Sequence, residues 1–159
     1  MIGFELMHRS DTQLHAVDGS TYRGDTRDPE QALAQFYRAF NSRDLTLMKE
    51  NWEFSSQIVM DNPLGGVRRG WDEIRATYEK IFNAEPPVRV EFYDFTFHIF
   101  SDIFYVVGRE RPLGKSHLDI AIRTTRIFHR QDDGRWKLIH HHGSFEDAEL
   151  LARYQAAIH

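Results

Sequence analysis

The stretch Thr125-Arg126-Ile127-Phe128-His129-Arg130-Gln131-Asp132-Asp133-Gly134-Arg135-Trp136-Lys137-Leu138-Ile139-His140-His141-His142-Gly143-Ser144 reads as two strands joined by a tight turn. Asp133-Gly134 supplies the turn, because glycine reaches positive φ without a Cβ clash. Strand alternation then sorts the side chains into two faces. Arg126 and Phe128 fall on one side of the first strand. Trp136, Leu138, His140 and His142 fall on one side of the second, and His141 points the other way, toward an interface or solvent. An arginine and two histidines therefore sit on strand faces otherwise suited to a core. Polar groups in such places must be paired, exposed or used.

Upstream, the pattern changes from period 2 to helical spacing. Residues 1–27 are polar and aperiodic apart from Phe4, Leu6 and Met7. They read as a mobile arm, with room for a short strand at its start. Asp28 is placed to cap a helix, Pro29 suits its first position, and Gln31 completes a capping box. Leu33, Phe36, Tyr37 and Phe40 then mark an amphipathic helix. Asp44 caps a second helix with Leu45, Met48 and Trp52 on one face. Gln57 to Met60 reads as a short strand and Asp61-Asn62-Pro63-Leu64-Gly65-Gly66 as a turn. A third helix follows Gly70, with Ile74, Tyr78, Ile81 and Phe82 on its apolar face, and Pro86-Pro87 stops it. Val88–Phe100, Ile103–Arg111 and Leu118–His129 read as strands that lead into the closing pair. Ser144 is placed to cap a last helix, with Asp147 at the third position and an apolar stripe of Leu150, Leu151 and Tyr154. Helices segregated from an antiparallel sheet define an α+β domain, here one domain over 28–159 behind the polar arm.

Composition narrows the function classes. A chain of 159 residues with 41% hydrophobic and 28% charged residues is long enough to bury a sizeable core. Its net charge of −4 gives no basic footprint for nucleic acid. Without cysteine it has no disulfide, thiolate metal site or cysteine nucleophile. No apolar run approaches a membrane span, and the N-terminal residues lack the apolar core of a signal peptide. The expectation is a cytoplasmic protein with neither nucleic-acid nor membrane partners.

The closing strand pair resembles the end of the nuclear transport factor 2-like superfamily. The likeness is to SnoaL-like proteins and to the association (hub) domain of calcium/calmodulin-dependent protein kinase II, whose pattern T-R-hydrophobic-aromatic-H/R-R-x-D-G-x-W-x-x-H-x-H-x-S recurs here with one extra Asp at the turn. The end of the first helix (F-Y-x-A-F-N-x-x-D) and the P-x-G-x-x-x-G turn belong to the same resemblance. It implies a strongly curved sheet wrapped around a long helix, making a cone with an open mouth. The terminal helix lies outside the hub-domain pattern.

Several residues are candidates for chemistry. Arg126 shares a strand face with Ile120, Ile122, Thr124 and Phe128, and Arg109 with Ile103, Tyr105 and Val107. Arginines there call for a carboxylate or a ligand, and the internal partners in reach would be Asp61, Asp119 or Glu110. The resemblance implies that both arginines line a pocket able to meet an acidic small ligand, and that a third basic position of the family is Gly143 here. His140 and His142 would suit a metal only if His98 or Asp61 came close as a third ligand. The expectation is that no metal or cofactor is needed. At the position where the superfamily's ketosteroid isomerases carry their catalytic acid this chain has Asn62, with Asp61 one residue earlier, so that machinery is not carried over. Asp61, His98, His140 and His142 could move protons, while Phe36, Tyr37, Phe40, Trp52, Tyr78 and Phe82 would be pocket walls or plain core.

Two readings follow. One is a small-molecule binding or assembly module for an organic acid or carbonyl compound. Its pocket would hold Arg109, Arg126, Tyr37, Trp52, Asn62, Tyr78 and His98. The other is a cofactor-free isomerase, cyclase or hydratase that uses His140, His142 or Asp61. The chain is expected to pair with itself as a homodimer through the outer face of the final strands, where Ile127 and Ile139 lie.

Overall fold

The computed structural model describes residues 15–114 and 119–159. Phe4, Leu6 and Met7 lie outside the described residues, as does the expected start of a strand at Leu118. The elements run α1 (Pro29–Asn41), α2 (Leu45–Asn51), β1 (Val59–Asp61), β2 (Val67–Arg69), α3 (Gly70–Phe82), β3 (Val90–Ile99), β4 (Ile103–Pro112), β5 (Ile122–Arg130), β6 (Trp136–Phe145) and α4 (Ala148–Ala157). This is the expected α+β class: a curved, unclosed sheet with helices segregated from it in the chain. The strand order is β2-β1-β6-β5-β4-β3. Neighbours are antiparallel except β1 and β6, which run parallel. The sequence expectation of one short early strand was incomplete, since Val67–Arg69 folds back on Val59–Asp61 as a second.

The helices form where the apolar stripes run. Leu33, Phe36, Tyr37 and Phe40 of α1 are all buried, as are Ile74, Tyr78, Ile81 and Phe82 of α3. Asp28 caps α1 by accepting from Glu30 N at 3.0 Å. Gln31 does not close a capping box. It accepts from Arg23 N at 2.6 Å and donates to Thr21 O at 3.0 Å, tying the incoming chain to the helix. The cap of α4 is Asp147 rather than Ser144, because β6 continues to Phe145.

Residues 15–27 were read as part of a mobile arm, yet they are bound to the domain. Val17 exchanges both backbone hydrogen bonds with Phe92, and Thr26 O accepts from Trp136 N. Gly19, at φ 93°, lies against the backbone of Tyr37 and Arg38 where no Cβ would fit.

Two irregularities in the strands reset which side chains face inward. In β3 the register shifts between Tyr93 and Thr96, so Val90, Phe92, Phe95 and Phe97 are all buried. In β6, Ile127 opposes His140 while Phe128 opposes Leu138, which leaves Ile139 as an extra residue. Such a bulge shifts the phase of alternation by one. Trp136 and Leu138 face the core before it. His141 and Gly143 face inward after it.

Candidate functional site

The interior of the curved sheet holds a buried polar cluster built from three strands and α1. Arg126 of β5 is 1% exposed. Its Nη2 donates to Glu110 Oε1 at 2.8 Å and its Nε to the Tyr37 hydroxyl at 3.4 Å. The guanidinium carbon stands 3.5 Å above the centre of the Phe36 ring, a close cation–π contact. Glu110 Oε1 also accepts from Tyr37 Oη at 3.0 Å and from Thr124 Oγ1 at 3.2 Å. The arginine is thus both neutralised and oriented, as a charge in a core requires.

The cluster is not fully satisfied. Among the described residues, Arg126 Nη1 and both ring nitrogens of His141 are enclosed and have no hydrogen-bond partner. Both side chains border a cavity of about 30 Å³, with Asn62, Pro63, Tyr78 and Tyr154 among its walls. Unpaired buried donors are costly, so such atoms call for a water or a ligand group. The cavity in this closed form has room for a water or two. Burial pushes the His141 imidazole well below its ordinary pKa, and the Arg126 charge, His140 and His142 push it the same way. It is therefore a neutral donor–acceptor at pH 7. Burial raises the Tyr37 and Tyr78 hydroxyls, which stay protonated.

The remaining candidates divide between this interior and the outer face. Tyr37, Tyr78 and Trp52 are interior, with Trp52 Nε1 donating to Tyr78 Oη at 3.3 Å. Asn62 is buried at the cavity wall, where its Oδ1 accepts from Leu64 N at 2.9 Å. Arg109 lies on the outer face, about half exposed, beside Asp94 and Glu146 at 3.7 and 3.4 Å. Alternation along β4 puts its neighbour Glu110 inside instead. His98 is also outside, bonded to Thr96 Oγ1 at 2.8 Å and stacked on Tyr105.

The bulge at Ile139 turns His140 and His142 outward and His141 inward, the reverse of the alternation read from the sequence. Asp61 joins the two outward histidines. Its Oδ2 is 3.2 Å from His142 Nδ1, and His140 Nδ1 is 2.9 Å from Val59 O. His141 is the site member that sequence reasoning left out of the pocket, while Glu110, named among the internal partners for the arginines, is the one that pairs with Arg126. For Glu110 the signal was present, as a carboxylate facing the core one strand from Arg126. For His141 no signal in the sequence located the bulge.

The fold is that of a cone-shaped nuclear transport factor 2-like α+β protein. A family model for the SnoaL-like domain matches residues 30–148, and the chain belongs to that family. Among solved structures it is similar to a protein from Thiobacillus denitrificans that carries the name of a calcium/calmodulin-dependent protein kinase type II association domain. That match has 24% identity and a TM-score of 0.69, and covers 79% of this chain and 100% of the other. It is also similar to a protein from Streptomyces avermitilis named as a dehydratase of the NTF2-like family (23% identity, TM-score 0.65, 77% and 96% covered). A third likeness is to a protein from Shewanella frigidimarina named as a ketosteroid isomerase (19% identity, TM-score 0.61, 71% and 91% covered). At these identities the likenesses show the fold. Among functionally curated proteins none matches this chain.

Proposed function

We propose that this chain is a binding module for a small organic acid or its carbonyl analogue, held inside the cone with its oxygen atoms on Arg126 and His141. The observation that carries this reading is a set of three enclosed, unpartnered nitrogens, Arg126 Nη1 and His141 Nδ1 and Nε2, on two side chains that line one cavity. A guanidinium N–H and an imidazole N–H both suit a carboxylate or an enolate oxygen. The ion pair of Arg126 with Glu110 fixes the guanidinium in place, so its free edge is preorganised. A ligand larger than a few atoms requires the Asn62–Pro63 and Tyr154 side of the cavity to open.

The second reading is acid–base catalysis on such a compound, and one observation favours it. His141 is held neutral within the site, able to accept a proton at working pH. Similarity in fold to proteins named as a dehydratase and a ketosteroid isomerase is compatible with it. It ranks second because the depressed imidazole is a weak base and Asp61 faces away from the cavity.

The test is a thermal-shift screen with carboxylic acids of two to four carbons, followed by calorimetry on wild type, Arg126→Lys and His141→Asn. Arg126→Lys is expected to lose roughly 1–3 kcal/mol of binding free energy, the worth of a desolvated charged hydrogen bond. Equal affinity across the three proteins would remove the ligand from this cavity. Exchange of a bound ligand's α-protons for solvent deuterium, lost in His141→Asn, would turn the module into an enzyme.

A further inference from the structure

On the opposite face of the sheet the structure assembles a second group of chemistry-bearing side chains. Asp61, His140 and His142 each offer one ligand atom, and these atoms lie within 4.8 Å of one another. The backbone brings them together. Parallel pairing sets Val59 beside His140 and Asp61 beside His142. The bulge at Ile139 puts both histidines on the outer face, two residues apart on one strand. Across β5 they face Ile127 and Thr125, which carry no charge.

We propose that Asp61, His140 and His142 form a binding site for a divalent first-row transition ion, zinc above all. Two imidazoles and one carboxylate are a borderline-soft donor set that suits zinc, and exclude a preference for calcium or magnesium. Geometry supports it. Ligand atoms about 2.1 Å from a tetrahedral zinc stand about 3.4 Å apart. The His142 Nδ1 to Asp61 Oδ2 separation of 3.2 Å already matches such an edge. The widest separation needs a side-chain rotation of an ångström or so, which half-exposed side chains can make. His140 is already oriented, since its Nδ1 bonds to Val59 O at 2.9 Å. A backbone carbonyl on one ring nitrogen fixes the tautomer that leaves Nε2 free for a metal. Three protein ligands leave a fourth position open to water or to an outside donor.

From sequence, His140 and His142 would suit a metal only if His98 or Asp61 came close as a third ligand, and the expectation was that no metal is needed. The fold supplies that third ligand in Asp61. The site lies across the sheet from the Arg126 cavity and stands whether or not that cavity binds an acid.

The experiment uses the full chain without a histidine tag. Zinc chloride is titrated calorimetrically into wild type, Asp61→Asn, His140→Ala, His142→Ala and, as a control, His129→Ala. The expected result is one zinc per chain in wild type and the control, with at least about tenfold weaker binding in each of the three site variants. In parallel, imidazole nitrogen signals of wild type should shift for His140 and His142 and not for His98 or His141. That measurement needs no variant and so does not depend on how any variant folds. Absence of binding up to a millimolar zinc concentration would overturn the proposal. So would unchanged affinity in the site variants, or shifts confined to other histidines.

Discussion

At the scale of single residues, the fold is organised around a charge it does not leave alone. Arg126 is among the largest fully buried side chains in the molecule, and Glu110 neutralises it. Glu110→Ala should therefore cost about 3–5 kcal/mol in chemical denaturation, because it strands a buried guanidinium. Glu110→Gln, which keeps an acceptor, should cost less. A loss below about 1 kcal/mol for the alanine variant would mean that Arg126 finds another partner or reaches water. His141 sets a pH dependence whose sign follows from its depressed pKa. Above the ordinary imidazole pKa of 6.5 the ring is neutral in both folded and unfolded chains, and its contribution is fully present. As pH falls below that value the unfolded chain takes up a proton that the folded chain refuses. Stability should then fall by up to about 1.4 kcal/mol per pH unit until the folded-state pKa is reached. Denaturation of wild type and His141→Asn between pH 7 and 5 checks this. Parallel stability curves for the two proteins would show that His141 does not titrate differently on folding.

At the scale of elements, the decisive feature is a single extra residue in β6. A bulged strand reverses its inward and outward sets beyond the bulge. Before Ile139 the sequence alternation held, and Trp136 and Leu138 face the core as read. After it, His141 is interior and His140 and His142 are not. An aspartate scan makes the reversal measurable. His141→Asp should destabilise the domain by more than about 3 kcal/mol, as a buried unpaired polar group does, while His140→Asp and His142→Asp, which set a second carboxylate beside Asp61 at the surface, should each cost clearly less. Comparable losses at all three positions would place the bulge elsewhere. The same contrast tells what sequence could convey. The stripes of α1 and α3, the Asp133-Gly134 turn and the inward run Ile120, Ile122, Thr124, Arg126, Phe128 were legible because uninterrupted periodicity signals a face. The bulges of β3 and β6 were not, because sheet curvature demands an irregularity without fixing the residue that supplies it. Arg109 was misplaced for a related reason. Its own face holds Tyr105 and Val107, apolar enough to pass for a core, while Gly108 and Glu110 look wrong for an interior. Gly108 is interior because Phe92 and Phe95 occupy the space its side chain would take.

At the scale of the whole molecule, two surfaces remain to be accounted for. The outer sheet face carries Phe100 and Val107 at 59% and 43% exposure, with Tyr105 stacked between His98 and Phe100. An isologous pairing would cover this patch, and light scattering at micromolar concentration should give twice the chain mass. A Val107→Glu, Ile127→Glu variant should then be monomeric, and a monomeric wild type would sink the idea. The second surface lies under α4. The family model matches up to residue 148, where α4 begins, so this helix lies outside the matched span. It lays Tyr154 and Ile158 onto the domain, with Tyr154 in the wall of the Arg126 cavity and packed on Phe145. Gln155 Nε2 fastens it to Leu64 O at 3.0 Å, beside the Asn62–Pro63 turn. Beyond these contacts only an exposed ion pair from Arg153 to Asp119, at 3.8 Å, is seen among the described residues, so the helix should open without unfolding the sheet. Amides of α4 are therefore expected to exchange through local opening, well before those of α1, whose apolar stripe is buried along its full length. Tyr154→Ala should raise α4 exchange further and quicken the entry of a small carboxylate, read by stopped-flow, while leaving exchange in α1 unchanged. If α4 instead exchanges together with α1, the helix belongs to the global folding unit, and entry to the cavity must lie on another side.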